Sequence, residues 1–110
     1  LLRRARIVSE RKIEIGGVVL VYDARTVSRN GESQVLPLKE FQLLYKLLSY
    51  PGKIFTRIQL MDEIWGLTTE TSQSTLNVHV NRLRNKFRKY PEFDLKAVRG
   101  IGYKAEVHVD

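Results

Sequence analysis

The chain contains no cysteine, only three prolines and two histidines, and no long apolar run. Without cysteine it can form neither a disulfide framework nor a thiolate metal site, which fits a reducing compartment. His79 and His108 are too far apart in sequence to indicate a metal centre. No segment approaches the roughly 18 to 20 apolar residues that span a bilayer, and no secretory signal is visible. The sequence therefore predicts a cytoplasmic protein without cofactor, metal or membrane partner.

Carboxylates are also scarce, because twelve Asp and Glu stand against nineteen Lys and Arg, for a net charge of +7. Such an excess is typical of surfaces that bind phosphates, although an anionic membrane or an acidic protein could use it too. The 110 residues suffice for one domain with a real core. Paired carboxylates occur at Asp62 and Glu63, but no Ser-His-Asp order or phosphate-cradling loop accompanies them. No enzymatic activity is predicted.

The stretch from Thr75 to Lys89 carries the clearest pattern. Its apolar residues recur at steps of four, three and four, which predicts a helix with one buried stripe formed by Leu76, Val80, Leu83 and Phe87. The opposite face should carry Ser74, Val78, Asn81, Arg82, Asn85 and Lys89. Amide and guanidinium groups can hydrogen-bond base edges in a DNA major groove, and Val78 could contact a thymine methyl. The alternative is a solvated cationic helix with one exposed valine.

The remaining patterns predict an order of short strands and helices. Four strands at residues 12–15, 18–22, 26–29 and 33–36 form an antiparallel meander, with a hairpin turn at Asn30-Gly31. Helices follow at 39–49, before Pro51-Gly52, and at 57–65, between a capping box at Thr56 and Gln59 and a stop at Gly66. A third helix, capped by Thr71 or Ser72, runs to about residue 89, and residues 94–109 form a glycine-tipped hairpin.

This order is that of an α+β winged helix-turn-helix with an N-terminal four-stranded antiparallel sheet, three helices and a C-terminal β-hairpin wing. In such a fold the third helix enters the major groove, while the hairpin reaches toward the neighbouring minor groove. Arg99 at the hairpin tip is suited to that second contact.

Four motifs in fixed order carry a family resemblance. They are Glu40-Phe41-x-Leu43-Leu44, Leu60-x-x-x-Ile64-Trp65-Gly66, Val78-His79-Val80-x-Arg82-Leu83-Arg84-x-Lys86 and Val98-Arg99-Gly100-x-Gly102-Tyr103. Together they resemble the DNA-binding effector domain of OmpR/PhoB-type two-component response regulators. The resemblance implies a bacterial transcription factor in which residues 1–12 are the end of a receiver domain and its linker, and residues 13–110 are the winged-helix domain.

The resemblance also implies roles for individual residues. Base readers would be Asn77, Val78, Asn81 and Arg82; phosphate contacts would come from Thr75, His79, Arg84 and Lys86; the minor-groove wing would use Arg99, Gly100 and Tyr103. Two alternatives stay open: His79 could instead bond local backbone, and Tyr103 could instead pack beneath the wing. Trp65 is expected to pack at a helix end and not to stack on a base.

The implied partners are double-stranded DNA with tandem half-sites, a second copy of the protein joined through the receiver, and a cognate histidine kinase acting on that receiver. RNA polymerase would contact the loop formed by Leu67, Thr68, Thr69, Glu70 and Thr71. Two positions depart from the family pattern: Pro37 replaces a capping Ser or Thr, and Asn81 stands where some relatives carry Arg. A rival hypothesis is a winged-helix protein-interaction module that binds an acidic partner through the same basic helix.

Overall fold

The computed structural model describes residues 11–66 and 73–108, and it begins with an antiparallel sheet. The strands are β1 (Lys12–Ile15), β2 (Val18–Val21), β3 (Thr26–Arg29) and β4 (Glu32–Val35), in the order β1-β2-β3-β4. This confirms the predicted meander, with β2 and β4 differing by one residue at their ends. Asn30 and Gly31 have φ of 53° and 84°. Positive φ at both positions is what a two-residue hairpin turn requires.

Helix α1 (Leu38–Ser49) begins without a side-chain cap. Pro37 occupies the cap position with φ of −55°, and its carbonyl accepts a 2.9 Å hydrogen bond from the Phe41 N–H. The proline ring therefore fixes the backbone of the residue from which the helix starts.

Helix α2 (Arg57–Trp65) begins with the predicted capping box. The Gln59 N–H donates to Thr56 Oγ1 at 3.0 Å, and the Thr56 N–H donates to Gln59 Oε1 at 2.9 Å. At the other end the Gly66 N–H donates to the Asp62 and Met61 carbonyls, which confirms Gly66 as the stop.

Helix α3 (Gln73–Lys86) ends three residues before its predicted end, because residues 87–89 form a turn. The turn brings the rings of Phe87 and Tyr90 to 5.0 Å in an edge-to-face contact, and Phe93 packs beside them. Aromatic packing therefore favours the turn over another helical turn. The predicted cap at Thr71 or Ser72 and the loop from Leu67 to Thr71 lie outside the described residues, as do residues 1–10.

A second, three-stranded sheet contains the wing. It is formed by β5 (Phe55–Thr56), β6 (Phe93–Val98) and β7 (Gly102–Val107), in the order β5-β7-β6. The hairpin was predicted, whereas β5 was not. Gly102 pairs with Thr56, and a Cβ at Gly102 would lie 1.9 Å from the Phe55 carbonyl oxygen. Only glycine therefore allows β7 to approach β5 this closely.

One hydrophobic core joins the two sheets and three helices. It contains Val18, Leu20 and Val27 from the first sheet, Phe41, Leu44 and Leu47 from α1, Leu60 from α2, Leu76, Val80 and Leu83 from α3, and Phe93 and Ala105 from the hairpin. Within residues 11–66 and 73–108, no helix is long and apolar enough to cross a membrane. The core fixes the orientation of α3 relative to the wing, and this arrangement defines the candidate site.

Candidate nucleic-acid interface

Helix α3 buries the predicted stripe and exposes the opposite face. Leu76, Val80 and Leu83 are fully buried and Phe87 is 2% exposed. Side chains on the other side are accessible to solvent: Ser74, Val78, Asn81, Arg82 and Asn85. Val78 is 47% exposed, although it is apolar. The predicted orientation of the helix is therefore confirmed, and its amide and guanidinium groups face outward.

The basic flank of α3 is anchored by a carboxylate from α1. Glu40 is only 2% exposed, and its Oε1 accepts a 3.0 Å hydrogen bond from Lys86 Nζ. Its Oε2 lies 3.3 Å from His79 Nδ1 and 3.6 Å from Arg82 NH1. Three basic side chains predicted to contact DNA thus share one acidic partner. Any phosphate or base contact from them must be compatible with this carboxylate or replace it.

Two opposing effects act on the Glu40 carboxyl. Burial raises the pKa of Glu40, but hydrogen bonds and charge interactions with Lys86 and His79 lower it by more, so the pKa lies below the ordinary value of 4.5. The carboxylate is therefore ionised at neutral pH, and it offsets part of the positive charge on α3.

His79 is held from two sides. Besides the Glu40 carboxylate, its ring packs against Trp65 at the end of α2, with centroids 5.4 Å apart and planes inclined by 38°. Trp65 therefore packs at a helix end, as expected. The partner of His79 is a side chain from α1 and not the local backbone that one alternative proposed.

Asn77 connects α3 with the wing. Its Oδ1 accepts hydrogen bonds from the Tyr103 hydroxyl at 2.5 Å and from Arg57 Nε at 3.4 Å. The Arg57 guanidinium carbon lies 5.1 Å from the centroid of the Tyr103 ring. Tyr103 is only 5% exposed, so of the two roles left open for it, packing beneath the wing is the one the structure describes. The carbonyl of Asn77 is occupied by protein donors, and its NH₂ group is the part able to contact a base.

The wing tip is a tight turn between β6 and β7. The Ile101 N–H donates to the Val98 carbonyl at 3.0 Å, and Gly100 has φ of 78°. Arg99 is exposed in this turn, and Ile101 is 47% exposed. A positive φ at the third turn position favours glycine, so the local sequence fits the turn that presents Arg99 to solvent.

A groove of about 880 Å³ lies between the C-terminal half of α3 and strand β6. Its basic lining residues are Arg84 from α3, Arg88 from the turn that follows α3, and Lys96 from β6, with Asp94 as the acidic one. Asn81 from the exposed face of α3 and Ala97 near the wing tip line the same groove. One edge of the exposed face of α3 and strand β6 of the wing are therefore two walls of one basic groove.

A model of known protein domains described as "Transcriptional regulatory protein, C terminal" matches residues 31–105. The chain belongs to this family. The resemblance to OmpR/PhoB-type effector domains is thereby confirmed. The heme response regulator HssR of Staphylococcus aureus is 39% identical over 109 residues, which cover 98% of this chain and 49% of HssR. The chain spans about half the length of the curated relatives it matches.

Solved structures support the same assignment. The Klebsiella pneumoniae RstA DNA-binding domain, in complex with the RstA box, is 28% identical, with a TM-score of 0.75 and coverage of 89% of this chain and 99% of that one. The DNA-binding domain of Escherichia coli CadC gives a TM-score of 0.76 at 20% identity, covering 90% and 95%, and shows the shared fold alone. The winged-helix architecture predicted from the sequence is therefore confirmed.

Three residues that form or support this regulator domain's basic surface were given no functional role from the sequence: Glu40, Arg57 and Lys96. Glu40 carried a detectable pattern, because it lies four and eight positions before the buried Leu44 and Leu48, and is therefore on the apolar stripe of α1. A carboxylate in such a stripe needs a buried partner. Arg57 and Lys96 had no comparable pattern, because each acquires its neighbours only when distant parts of the chain meet.

Proposed function

We propose that this domain binds promoter DNA sequence-specifically, with α3 in the major groove and the wing at the adjacent minor groove. The observation that carries the proposal is the shared groove, because Asn81 and Arg84 of α3 and Lys96 of β6 line one basic surface. A convex cationic helix beside a basic hairpin fits the successive grooves of a duplex. The RstA domain, whose structure was solved with its DNA box, supports this function by similarity.

Base reading is assigned to Val78, Asn81 and Arg82, and to the NH₂ group of Asn77. Phosphate contacts are assigned to Thr75, His79, Arg84 and Lys86, and the minor-groove contact to Arg99 beside Gly100. Arg82 is the strongest candidate for sequence discrimination, because its side chain is 60% exposed and a bidentate arginine–guanine pair contributes about 1 to 3 kcal/mol. Tyr103 supports these contacts from beneath, through Asn77.

We also propose partners for the whole protein. Since this chain spans about half of HssR, the remainder is assigned to a receiver domain that accepts a phosphoryl group from a histidine kinase. That receiver would dimerise the protein on tandem half-sites, and the loop from Leu67 to Thr71 would face RNA polymerase. These assignments rest on the response-regulator relatives, and the cytoplasm is the compartment in which such a protein would act.

The test is selection of bound duplexes from a random pool, performed with the wild-type domain and with Arg82→Ala. The pool selected by the wild-type domain should converge on one sequence. The pool selected by Arg82→Ala should lose its base preference at one position of that sequence. Lys12→Ala is the matched control, because it removes one positive charge from the N-terminal sheet. It should leave the selected sequence unchanged.

Salt dependence alone does not test the proposal, because a module that binds an acidic protein would show it too. With roughly four to six phosphate contacts, doubling the salt should weaken DNA binding about ten-fold or more. A pool that stays featureless for both proteins would contradict sequence-specific binding. The rival hypothesis of an acidic protein partner predicts that result.

A further inference from the structure

Glu40 is unusual among the described residues, because it is the charged side chain that the fold buries. Phe41, Leu43 and Leu44, which follow it closely in the sequence of α1, are fully buried and apolar. Burial of a carboxylate costs desolvation free energy, and replacing a buried ion pair by apolar side chains is often neutral or stabilising. The carboxylate also removes positive charge from the surface that would bind phosphates. General affinity for DNA therefore does not account for a carboxylate at this place, where apolar side chains would often serve folding equally well.

The three partners of Glu40 differ in how much of each side chain remains exposed. The side chain of His79 is 20% exposed and that of Lys86 is 37% exposed, whereas that of Arg82 is 60% exposed. Lys86 holds one carboxylate oxygen at 3.0 Å, and His79 and Arg82 share the other at 3.3 and 3.6 Å. Arg82 is therefore restrained at NH1, while most of its side chain remains accessible.

This geometry leaves enough donors on Arg82 to read a base. A guanidinium carries five N–H donors in a planar fork, so an attraction at NH1 leaves the donors on Nε and NH2 for a bidentate contact. A restrained side chain also loses less conformational entropy when it binds. The ring of His79, packed against Trp65, contacts the same carboxylate oxygen as Arg82 and so helps to hold that oxygen in place.

We propose that Glu40 is a positioning residue for sequence recognition, which holds the Arg82 guanidinium ready for a base while lowering the attraction of α3 for phosphates in general. The inference rests on the proposed function, because it assumes that Arg82 contacts a base. Glu40 itself is buried and does not touch DNA. Its effect is to increase the ratio between specific and non-specific binding.

The test compares wild type, Glu40→Gln and Glu63→Gln on the selected duplex and on a scrambled duplex of equal length. Glu40→Gln keeps the shape of the side chain and removes its charge. Glu63→Gln is the matched control, because Glu63 lies on α2 and its substitution removes one negative charge from a surface pair with Lys46 of α1. Binding is measured over about 50 to 200 mM salt, where phosphate contacts determine the slope.

Glu40→Gln should bind the scrambled duplex more tightly, and its salt slope should steepen by about 0.9, equivalent to one further phosphate contact. The preference for the selected duplex should fall about three- to ten-fold, part of the discrimination that a bidentate contact supplies. Glu63→Gln should keep the wild-type preference. The inference is overturned if Glu40→Gln weakens both duplexes equally or leaves their ratio unchanged. If the wild-type domain binds both duplexes equally, the proposed function fails first.

A second measurement uses the wild-type domain alone and does not depend on how well Glu40→Gln folds. Side-chain order parameters of the arginine Nε–H groups are measured by NMR without DNA. Arg84 is the internal reference, because it is exposed on the same helix and forms no ion pair among the described residues. Arg82 should be more ordered than Arg84. Equal order in the two side chains would overturn the inference.

Discussion

The Tyr103 hydroxyl donates a 2.5 Å hydrogen bond to Asn77 Oδ1, which joins the wing strand β7 to helix α3. Arg57, the first residue of α2, donates to the same oxygen at 3.4 Å and lies against the Tyr103 ring. One amide oxygen therefore connects three elements of the fold. Because α3 and the wing would occupy neighbouring grooves, this connection constrains the angle at which both meet a duplex.

Tyr103→Phe should lower the affinity for every duplex by a similar factor without changing the preferred sequence. The change removes one donor from Asn77 and leaves its oxygen with Arg57 alone, which should cost about 1 to 2 kcal/mol in the free energy of unfolding. Urea unfolding and duplex selection measure the two effects. Tyr50→Phe is the control, since Tyr50 is 49% exposed and should change stability by less than about 0.5 kcal/mol. A new preferred base would show that Arg57 alone does not hold the Asn77 amide, and that the amide turns when Tyr103 releases it.

The elements that the sequence predicted are those whose pattern is local. The stripe of α3 repeats within one stretch of chain, and the capping box of α2 lies within four residues, so neither needs information from elsewhere. Strand β5 was missed because its two residues, Phe55 and Thr56, are too few to show alternation. Its existence depends on Gly102, whose missing Cβ lets distant segments pair.

At the candidate site, too, features set by a local pattern were predicted and features set by distant residues were not. The exposure of Val78, Asn81 and Arg82 followed from the helical period, because whatever faces away from the core faces solvent. The partners of Asn77 and His79 come from α1, α2 and β7, and no pattern within α3 reveals them. Glu40 was the exception, since a carboxylate on an apolar stripe could have been identified as a residue that requires a partner.

Gly102→Ala should destabilise the domain more than Gly100→Ala. At Gly102 the new Cβ would lie 1.9 Å from the Phe55 carbonyl oxygen, so β5 must separate from β7, at a cost of about 3 kcal/mol or more. At Gly100 nothing lies within 4 Å of the new Cβ, and only the positive φ of 78° opposes it, for about 1 to 2 kcal/mol. Thermal unfolding of the two variants compares steric and backbone effects within one hairpin. Equal losses would show that the β5–β7 pairing contributes little to stability.

Arg99→Ala should weaken DNA binding without affecting the fold. Arg99 is exposed in the wing turn, so the free energy of unfolding should change by less than about 0.5 kcal/mol. Loss of one phosphate-neutralising or minor-groove cation should reduce the salt slope by about 0.9. Selected duplexes should also lose any preference for A·T-rich sequence at the wing position, because a narrow A·T-rich minor groove would no longer have Arg99 to attract. Lys53→Ala is the control, because it removes an exposed cation from the segment between α1 and β5. Its salt slope and its selected duplexes should match those of the wild-type domain. An unchanged salt slope for Arg99→Ala would place the wing away from DNA.

Glu40→Gln should alter the acid side of the stability profile. The folded-state pKa of Glu40 lies below its ordinary value of 4.5, because hydrogen bonds with Lys86 and His79 outweigh the effect of burial. The stabilisation is therefore fully present above the ordinary value and is lost as the pH falls through the folded-state value. Urea unfolding between about pH 7 and pH 3 should show a shallower decline for Glu40→Gln than for wild type.

Glu106→Gln provides the comparison for this pH effect. Hydrogen bonds from Lys104 and Lys96 also lower the pKa of Glu106, but these are surface pairs that solvent screens. Its removal should flatten the acid decline less than removal of the Glu40 carboxylate does. If Glu40→Gln and wild type lose stability in parallel as the pH falls, the Glu40 carboxylate does not contribute its charge to folding, and its contacts with His79, Arg82 and Lys86 stabilise the domain only through packing.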